Sequence, residues 1–189
     1  MGPHILITGA VGVGKSTLIR RLLGACTLSV RGFRTWPLQR DEEGRRSFFI
    51  SPAWETEPVG TEDNRIGRVG GSEREAFPAV FDRLGPPLLA AKAGDVIVMD
   101  ELGWMEEDAE AFKNAVFACL DGEIPVLGVV KRRPGQPFLD AVRRHPRVLI
   151  VEIDEDSRDG AFERLLPQIL RWNRSSAGTS NSGQGPDPV

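Results

Sequence analysis

The chain has 189 residues, of which 40% are hydrophobic and 27% charged, and its formal net charge is −3 at pH 7. These values are typical of one globular domain with a real core, and two cysteines are too few for a disulfide framework. The acidic balance gives no strong nucleic-acid signal. Because no signal peptide and no membrane-spanning run is visible, we expect a cytoplasmic protein without membrane association.

The first predicted strand, residues 4–8, leads directly into the segment GAVGVGKST at 9–17. Its spacing is that of a phosphate loop, in which glycines let backbone N–H groups turn inward towards an anion. Lys15 would reach the outer phosphates, and the Ser16 hydroxyl would ligate magnesium. The following helix would add the positive end of its dipole. The predicted nucleotide-binding loop comprises Gly9, Ala10, Val11, Gly12, Val13, Gly14, Lys15, Ser16 and Thr17.

Further along the chain, almost continuously apolar strands alternate with helical patterns, as in a parallel sheet covered on both faces. Two strands joined by a charged turn predict a β-hairpin insertion near 32–52. The predicted fold class is therefore α/β, a P-loop NTPase with a mostly parallel sheet flanked by helices. The predicted strands are 4–8, 29–34, 47–51, 95–100, 125–130 and 147–153, and the predicted helices are 15–23, 73–91, 106–121, 137–144 and 161–172.

The last part of the chain has a different composition. From residue 173 it is rich in Ser, Gly and Pro, with almost no apolar side chains. Such segments cannot bury enough surface to fold. We therefore predict an NTPase domain at 1–172 and a disordered C-terminal tail at 173–189.

The buried strand DVIVMD at 95–100 ends in Asp100, and a second acid, Glu101, follows directly. In phosphate-loop enzymes an acid at this place holds magnesium, so Asp100 and Ser16 are the predicted metal ligands. Glu101 would polarise the attacking water as general base. With Lys15 as the second catalytic residue, this combination favours hydrolysis over binding alone.

The segments GAVGVGKSTLIRRL, GFRT, EEGRRSFFI and VIVMDELGWMEEDAEAF occur in an order that resembles the cancer-related and thermophile nucleoside-triphosphatases, over roughly residues 4–170. The resemblance implies a magnesium-dependent hydrolase of low base selectivity, accepting ATP and GTP, with CTP and UTP as further candidates. It also implies a second nucleotide-contacting segment of Asp100, Glu101, Leu102 and Gly103. One departure is Trp104, where the family usually has Lys or Arg.

Four arginines are candidates for neutralising charge on the γ-phosphate: Arg34, Arg46, Arg132 and Arg158. Because the Asn-Lys-x-Asp motif that reads guanine is absent, we expect low base selectivity. Two alternatives stay open at this point. One is a nucleoside or small-molecule kinase, with residues 131–137 as a basic lid, and the other is a nucleotide-dependent accessory or switch protein. The sequence identifies no protein partner.

Overall fold

The computed structural model describes residues 4–177, and all the strands in this range join one eight-stranded sheet. The strands are β1 (His4–Thr8), β2 (Ser29–Pro37), β3 (Arg46–Pro52), β4 (Arg65–Gly70), β5 (Glu73–Ala76), β6 (Asp95–Leu102), β7 (Val126–Val130) and β8 (Val148–Glu152). The helices are α1 (Lys15–Gly24), α2 (Pro78–Leu89), α3 (Glu110–Asp121), α4 (Pro137–Arg144) and α5 (Arg158–Ala177), and a short 3-10 helix covers Glu62–Asn64.

The sheet order is β5-β4-β3-β2-β6-β7-β1-β8. The strands from β2 to β8 in this order run parallel, and β3, β4 and β5 add an antiparallel extension beside β2. The α/β class with helices on both faces is confirmed.

Alternate residues of β1 enter two separate cores. Leu6 packs in a core that includes side chains of α2, α3 and α4. Ile5 and Ile7 pack in a core that includes side chains of α1 and α5. All three are fully buried. Each such side chain contributes about 1.5–3 kcal/mol relative to leaving it exposed. The continuous apolar run of β1 therefore reflects its position between two helical layers.

The predicted hairpin is present, and it is larger than predicted. The first part of β2 pairs in parallel with β6, and its second part pairs antiparallel with β3. Two further strands, β4 and β5, extend the hairpin outward. Because β2 belongs to both regions, the antiparallel extension is fixed directly beside the strand that carries the acidic pair.

The predicted helix 73–91 is wrong at its start. Residues Glu73–Ala76 form β5, which pairs with β4 across a tight turn where Gly71 has a φ of +55°. The helix begins only at Pro78, because a residue that precedes proline, here Phe77, is disfavoured in the α conformation.

Two other helix boundaries also differ. Helix α3 begins at Glu110 instead of 106, since turns occupy the intervening residues. Helix α5 runs from Arg158 to Ala177, past the boundary predicted at 172. Residues 178–189 of the predicted tail lie outside the described residues, so disorder there stays a prediction.

The carboxyl ends of the parallel strands lie at one edge of the sheet. In open α/β sheets ligands bind at this edge. The predicted phosphate loop follows β1, the acidic pair ends β6, and Lys131 follows β7. None of the helices within residues 4–177 has the length and apolar character needed to cross a membrane.

Candidate active site

The loop after β1 has the backbone geometry of a phosphate cradle. Gly9, Gly12 and Gly14 have φ angles of +152°, +83° and +99°, which L side chains rarely adopt. A Cβ on Gly9 would lie 2.2 Å from the carbonyl oxygen of Ile153, so the loop needs glycine there to pass close to the end of β8. Gly14 is the N-cap of α1, which directs the helix N-terminus into the loop.

Lys15 folds back over this loop. Its Nζ donates to the carbonyl oxygens of Gly9 at 3.0 Å and Ala10 at 2.6 Å, and the residue is only 9% exposed. The ammonium therefore lies at the mouth of the loop, where the phosphates of a nucleotide would be held.

The phosphate loop and the acidic pair meet at Ser16 and Asp100. The Ser16 hydroxyl donates to Oδ1 of Asp100 at 3.2 Å, although β7 separates β1 from β6 in the sheet. Burial raises the pKa of Asp100 to about 6, and the adjacent Glu101 charge acts in the same direction. The hydrogen bond from Ser16 and the charges of Arg34 and Lys15 act against this rise.

Glu101 has a cationic partner. Its Oε1 lies 2.7 Å from Nζ of Lys131, and both side chains are about one-third exposed. The backbone N–H of Lys131 donates to the Leu102 carbonyl at 2.9 Å, which fixes the end of β7 beside the end of β6. Lys131 is not among the predicted site residues and enters the sequence predictions only within the basic lid of the kinase alternative. Its signal was a basic residue directly after a buried strand, at the edge where the other site residues lie.

A third carboxylate, Glu106, is buried close enough to Glu101 and Lys131 for their charges to act on it. Its Oε1 accepts a hydrogen bond from the Gly103 backbone N–H. Burial raises the pKa of Glu106 to about 7, against the opposing effects of backbone hydrogen bonds and the Lys131 charge. The turn that contains Gly103 is thus held by a carboxylate that is costly to ionise.

Most of these residues line a cavity of about 500 Å³, and Asp100 lies outside its lining. One end is the phosphate loop, the middle contains Glu101 and Lys131, and the far end is lined by apolar side chains of the antiparallel extension and α2. The lining residues are Val11, Gly12, Gly14, Lys15, Ser16, Thr17, Thr35, Pro37, Arg46, Phe48, Ile66, Phe81, Glu101, Gly103, Trp104, Met105, Glu106 and Lys131.

The four candidate arginines lie in different places. Arg46 lines the main cavity. Arg34 is paired in register with Asp100, close enough for its charge to lower the pKa of that carboxyl. Arg132 is 70% exposed and forms an ion pair with Glu152 at 2.9 Å, away from the cavity lining. Arg158 lines a smaller cavity of about 310 Å³ on the other side of the loop.

Two predicted nucleotide-binding residues turn their side chains inward. Val13 and Leu102 belong to the two apolar cores and are at most 4% exposed, so only their backbone groups are available to a ligand. No group of three or more His, Cys, Asp or Glu side chains in the described part of the chain is suited to hold a metal. A magnesium ion here would rely on Ser16, Asp100, water and substrate phosphates. Such a donor set suits this ion, which prefers oxygen ligands and keeps several waters.

Comparison with known proteins decides the family. A family model described as NTPase matches residues 4–166. The chain belongs to this family. The chain is 32% identical to the nucleoside-triphosphatase THEP1 of Methanosarcina barkeri over 173 residues, covering 83% of this chain and 91% of the relative. It is 29% identical to the THEP1 of Thermotoga petrophila, covering 90% and 94% of the two chains.

Solved structures support the fold. The crystal structure of THEP1 from Aquifex aeolicus matches with a TM-score of 0.69 at 24% identity, covering 88% of this chain and 98% of that one. The solution structure of a human cancer-related nucleoside triphosphatase matches with a TM-score of 0.58 at 22% identity, covering 97% and 100%. The resemblance drawn from the sequence is confirmed, and with it the prediction of an NTP-hydrolysing enzyme.

Proposed function

We propose that the chain hydrolyses the γ-phosphate of nucleoside triphosphates with magnesium and little selectivity for the base. The observation that carries this proposal is the contact between Ser16 and Asp100 at 3.2 Å, with Glu101 beside it. This contact joins the phosphate loop to the acidic pair, and Glu101 lines the same cavity as the loop.

Each residue has a distinct part in the proposed reaction. The loop N–H groups and Lys15 bind the phosphates, and Ser16 and Asp100 would hold magnesium, which neutralises charge on the β- and γ-phosphates when bound. Glu101 accepts a proton from the attacking water. Until a nucleotide enters, the ion pair with Lys131 orients this carboxylate within the cavity.

Lys131 supplies a positive charge to the site, whereas position 104, where the family usually has Lys or Arg, is Trp104. Its ammonium lines the same cavity as Lys15 and Ser16. A lysine at this place can leave Glu101 for the γ-phosphate when a nucleotide enters, and it then stabilises charge on the transferred group. We therefore assign the neutralisation of charge on the γ-phosphate to Lys131 and to none of the four candidate arginines. Arg46 is the third cation that lines the cavity, with Lys15 and Lys131.

Low base selectivity is supported by the second cavity. It is lined by Gly14, Thr17, Leu18, Arg21, Arg158 and Asp159. Its cations are Arg21, which lies over the Phe162 ring at 4.5 Å, and Arg158, whose side chain is about half exposed. Stacking on an exposed guanidinium favours every base to some degree, whereas strong discrimination needs buried polar groups.

The cytoplasmic location expected from the sequence stays a prediction.

A nucleotide panel tests this function. Purified protein is incubated with ATP, GTP, CTP or UTP, with magnesium or with EDTA, and every product is identified. We expect NDP and phosphate from all four nucleotides, with kcat/KM for ATP and GTP within about tenfold, and no turnover in EDTA. A preference of a thousandfold for one base would contradict the low selectivity, and unchanged turnover in EDTA would contradict the metal requirement.

Two lysine variants test the phosphate loop, one within the loop and one outside the cavity lining as its control. Lys15→Ala should abolish turnover and weaken nucleotide binding, because the ammonium at the mouth of the loop is lost. Lys92→Ala removes an exposed lysine remote from the cavity lining and should change neither. If folded Lys15→Ala protein turned over nucleotide at the parental rate, the site would be misplaced.

A further inference from the structure

The two cavities lie on opposite sides of the phosphate loop and share Gly14 and Thr17. In loops of this type the lysine and the metal-binding hydroxyl contact the outer phosphates. The γ-phosphate therefore points towards Glu101 and Lys131 in the larger cavity. The α-phosphate and the nucleoside extend past Thr17 into the smaller cavity. The far end of the larger cavity is thus not needed by the nucleotide.

That far end is an apolar compartment, which we define by Phe48, Ile66, Phe81, Trp104 and Met105. It is built by β3, β4, α2 and the turn after β6. Ile66 and Phe81 are each 1% exposed and form its floor, whereas the partly buried Phe48 and Trp104 give it most of its open surface. Hydrolysis requires only a water molecule beside Glu101, and an apolar compartment of this kind does nothing for that reaction. Cavities of a few hundred Å³ with apolar walls and few polar groups are typical of small-molecule sites.

Arg46 adds one polar feature to this compartment. It lines the cavity, and unlike its neighbour Arg45 it forms no ion pair with a carboxylate of the described residues. A guanidinium without a carboxylate partner favours a ligand that carries an anionic group. The compartment therefore suits a compact ring with one anionic group. A nucleoside, with many hydrogen-bonding groups, suits it poorly.

We propose that the apolar compartment binds a small alcohol carrying a ring and a carboxylate, and that the enzyme transfers the γ-phosphoryl group to its hydroxyl. The proposal rests on the proposed function, since the same Glu101 acts as the base. The γ-phosphorus forms a bond to the alcohol oxygen, and its bond to the β-phosphate oxygen breaks. The alcohol proton passes to Glu101, and the electron pair of the broken bond leaves with the NDP.

A partition experiment tests the transfer. Radiolabelled ATP and magnesium are incubated with the protein and equal concentrations of ethanol, benzyl alcohol, or 3- or 4-(hydroxymethyl)benzoate. The ratio of phosphate ester to inorganic phosphate is then measured. We expect this ratio to rise from ethanol to benzyl alcohol by at least about tenfold, as burial of a ring implies. It should rise again for at least one of the carboxylated alcohols.

Two variants, each with a matched control, test whether the alcohol binds in the apolar compartment. Phe48→Ala should lower the ratio for the ring-bearing alcohols about tenfold and leave the ratio for ethanol unchanged. Trp54→Ala removes an aromatic residue outside the cavity lining and should change neither ratio. Arg46→Met should remove the advantage of the carboxylated alcohols over benzyl alcohol. Arg45→Met is its matched control, because Arg45 pairs with Asp41 and Glu43 in the hairpin turn.

The outcomes separate this proposal from the proposed function. Phosphate release in the absence of alcohol, together with ester ratios no higher for the ring-bearing alcohols than for ethanol, would overturn the acceptor site alone. Absence of both phosphate and ester with every nucleotide would overturn both proposals. An ester preference that survives Phe48→Ala and Arg46→Met would place the alcohol elsewhere and overturn the assignment of the compartment.

Discussion

Asp100 and Glu101 are neighbours in sequence, but their different contacts predict that replacing each one impairs a different step. Asp100 faces Ser16, whereas Glu101 faces Lys131. Glu101→Gln should therefore keep nucleotide and magnesium bound while hydrolysis falls by ~10²-fold or more, the usual effect of losing a positioned base. Asp100→Asn should weaken magnesium-dependent nucleotide binding. Binding is measured by calorimetry with a non-hydrolysable nucleotide, and turnover by phosphate release.

A matched control distinguishes these effects from a general change of charge. Glu155→Gln removes an exposed carboxylate outside the cavity lining and should leave binding and turnover at parental values. Parental turnover in Glu101→Gln would mean that another group, or none, acts as base.

Lys131 is the residue whose role rests most directly on the structure. Lys131→Met should lower kcat on the order of 10²-fold, the effect of losing one transition-state donor, with little change in nucleotide affinity. Lys131→Arg keeps the charge and should retain more turnover than the methionine variant. Arg133→Met removes an exposed cation from the same basic triplet and should be neutral. Equal losses of affinity and kcat in Lys131→Met would indicate a binding role instead.

At this residue scale the sequence predicted the loop and the acidic pair because their spacing is local. Each of the two segments is contiguous in the sequence. The end of β1 alone determines where Gly9 to Ser16 lie, and the end of β6 alone determines where Asp100 and Glu101 lie. Lys131 was missed because its relation to Glu101 depends on β7 lying beside β6, which no local pattern reports. Arg132 of the same triplet is one of the four candidate arginines, but its side chain pairs with Glu152.

The elements were predicted well where both faces of the sheet are covered. Strand β1 and helix α4 have the predicted bounds, since continuous apolar runs and a proline at the helix start are strong signals. The edge strand β5 was mistaken for helix because Glu73–Ala76 has three exposed residues and no apolar alternation. The glycines before it were the available hairpin signal.

The turn after β6 gives a prediction at the scale of an element. Trp104 lies in this turn, lines the cavity, and follows the Gly103 N–H that Glu106 holds. A non-hydrolysable nucleotide with magnesium should change its surroundings and therefore the tryptophan fluorescence. Trp104→Phe should remove the change, although Trp36, Trp54 and Trp172 remain. A signal that persisted in Trp104→Phe would show that this turn does not respond to the nucleotide.

At the scale of the whole molecule, the buried carboxylates of the site lower the free energy of unfolding. The two cores lie on opposite faces of the sheet, and the site occupies the edge where the parallel strands end. Carboxylates placed at this edge are partly or fully removed from water, and the pKa values of Asp100 and Glu106 are raised by that burial. A buried acid with a raised pKa opposes folding once it is ionised.

Glu106 allows this cost to be measured. Its pKa is raised from an ordinary 4.5 to about 7, so between these values the folded state binds the proton more tightly than the unfolded state. The free energy of unfolding should therefore fall as pH rises through this window and level off above it. Glu106→Gln does not titrate and still offers an oxygen to the Gly103 N–H. From pH 5 to pH 8 the variant should gain roughly 2–3 kcal/mol of stability relative to the parent. Urea unfolding of both proteins at the two pH values measures this difference, in which titrations common to both cancel. Glu155→Gln should show no such change, and a Glu106→Gln effect independent of pH would mean that Glu106 is ionised in the folded protein at pH 5.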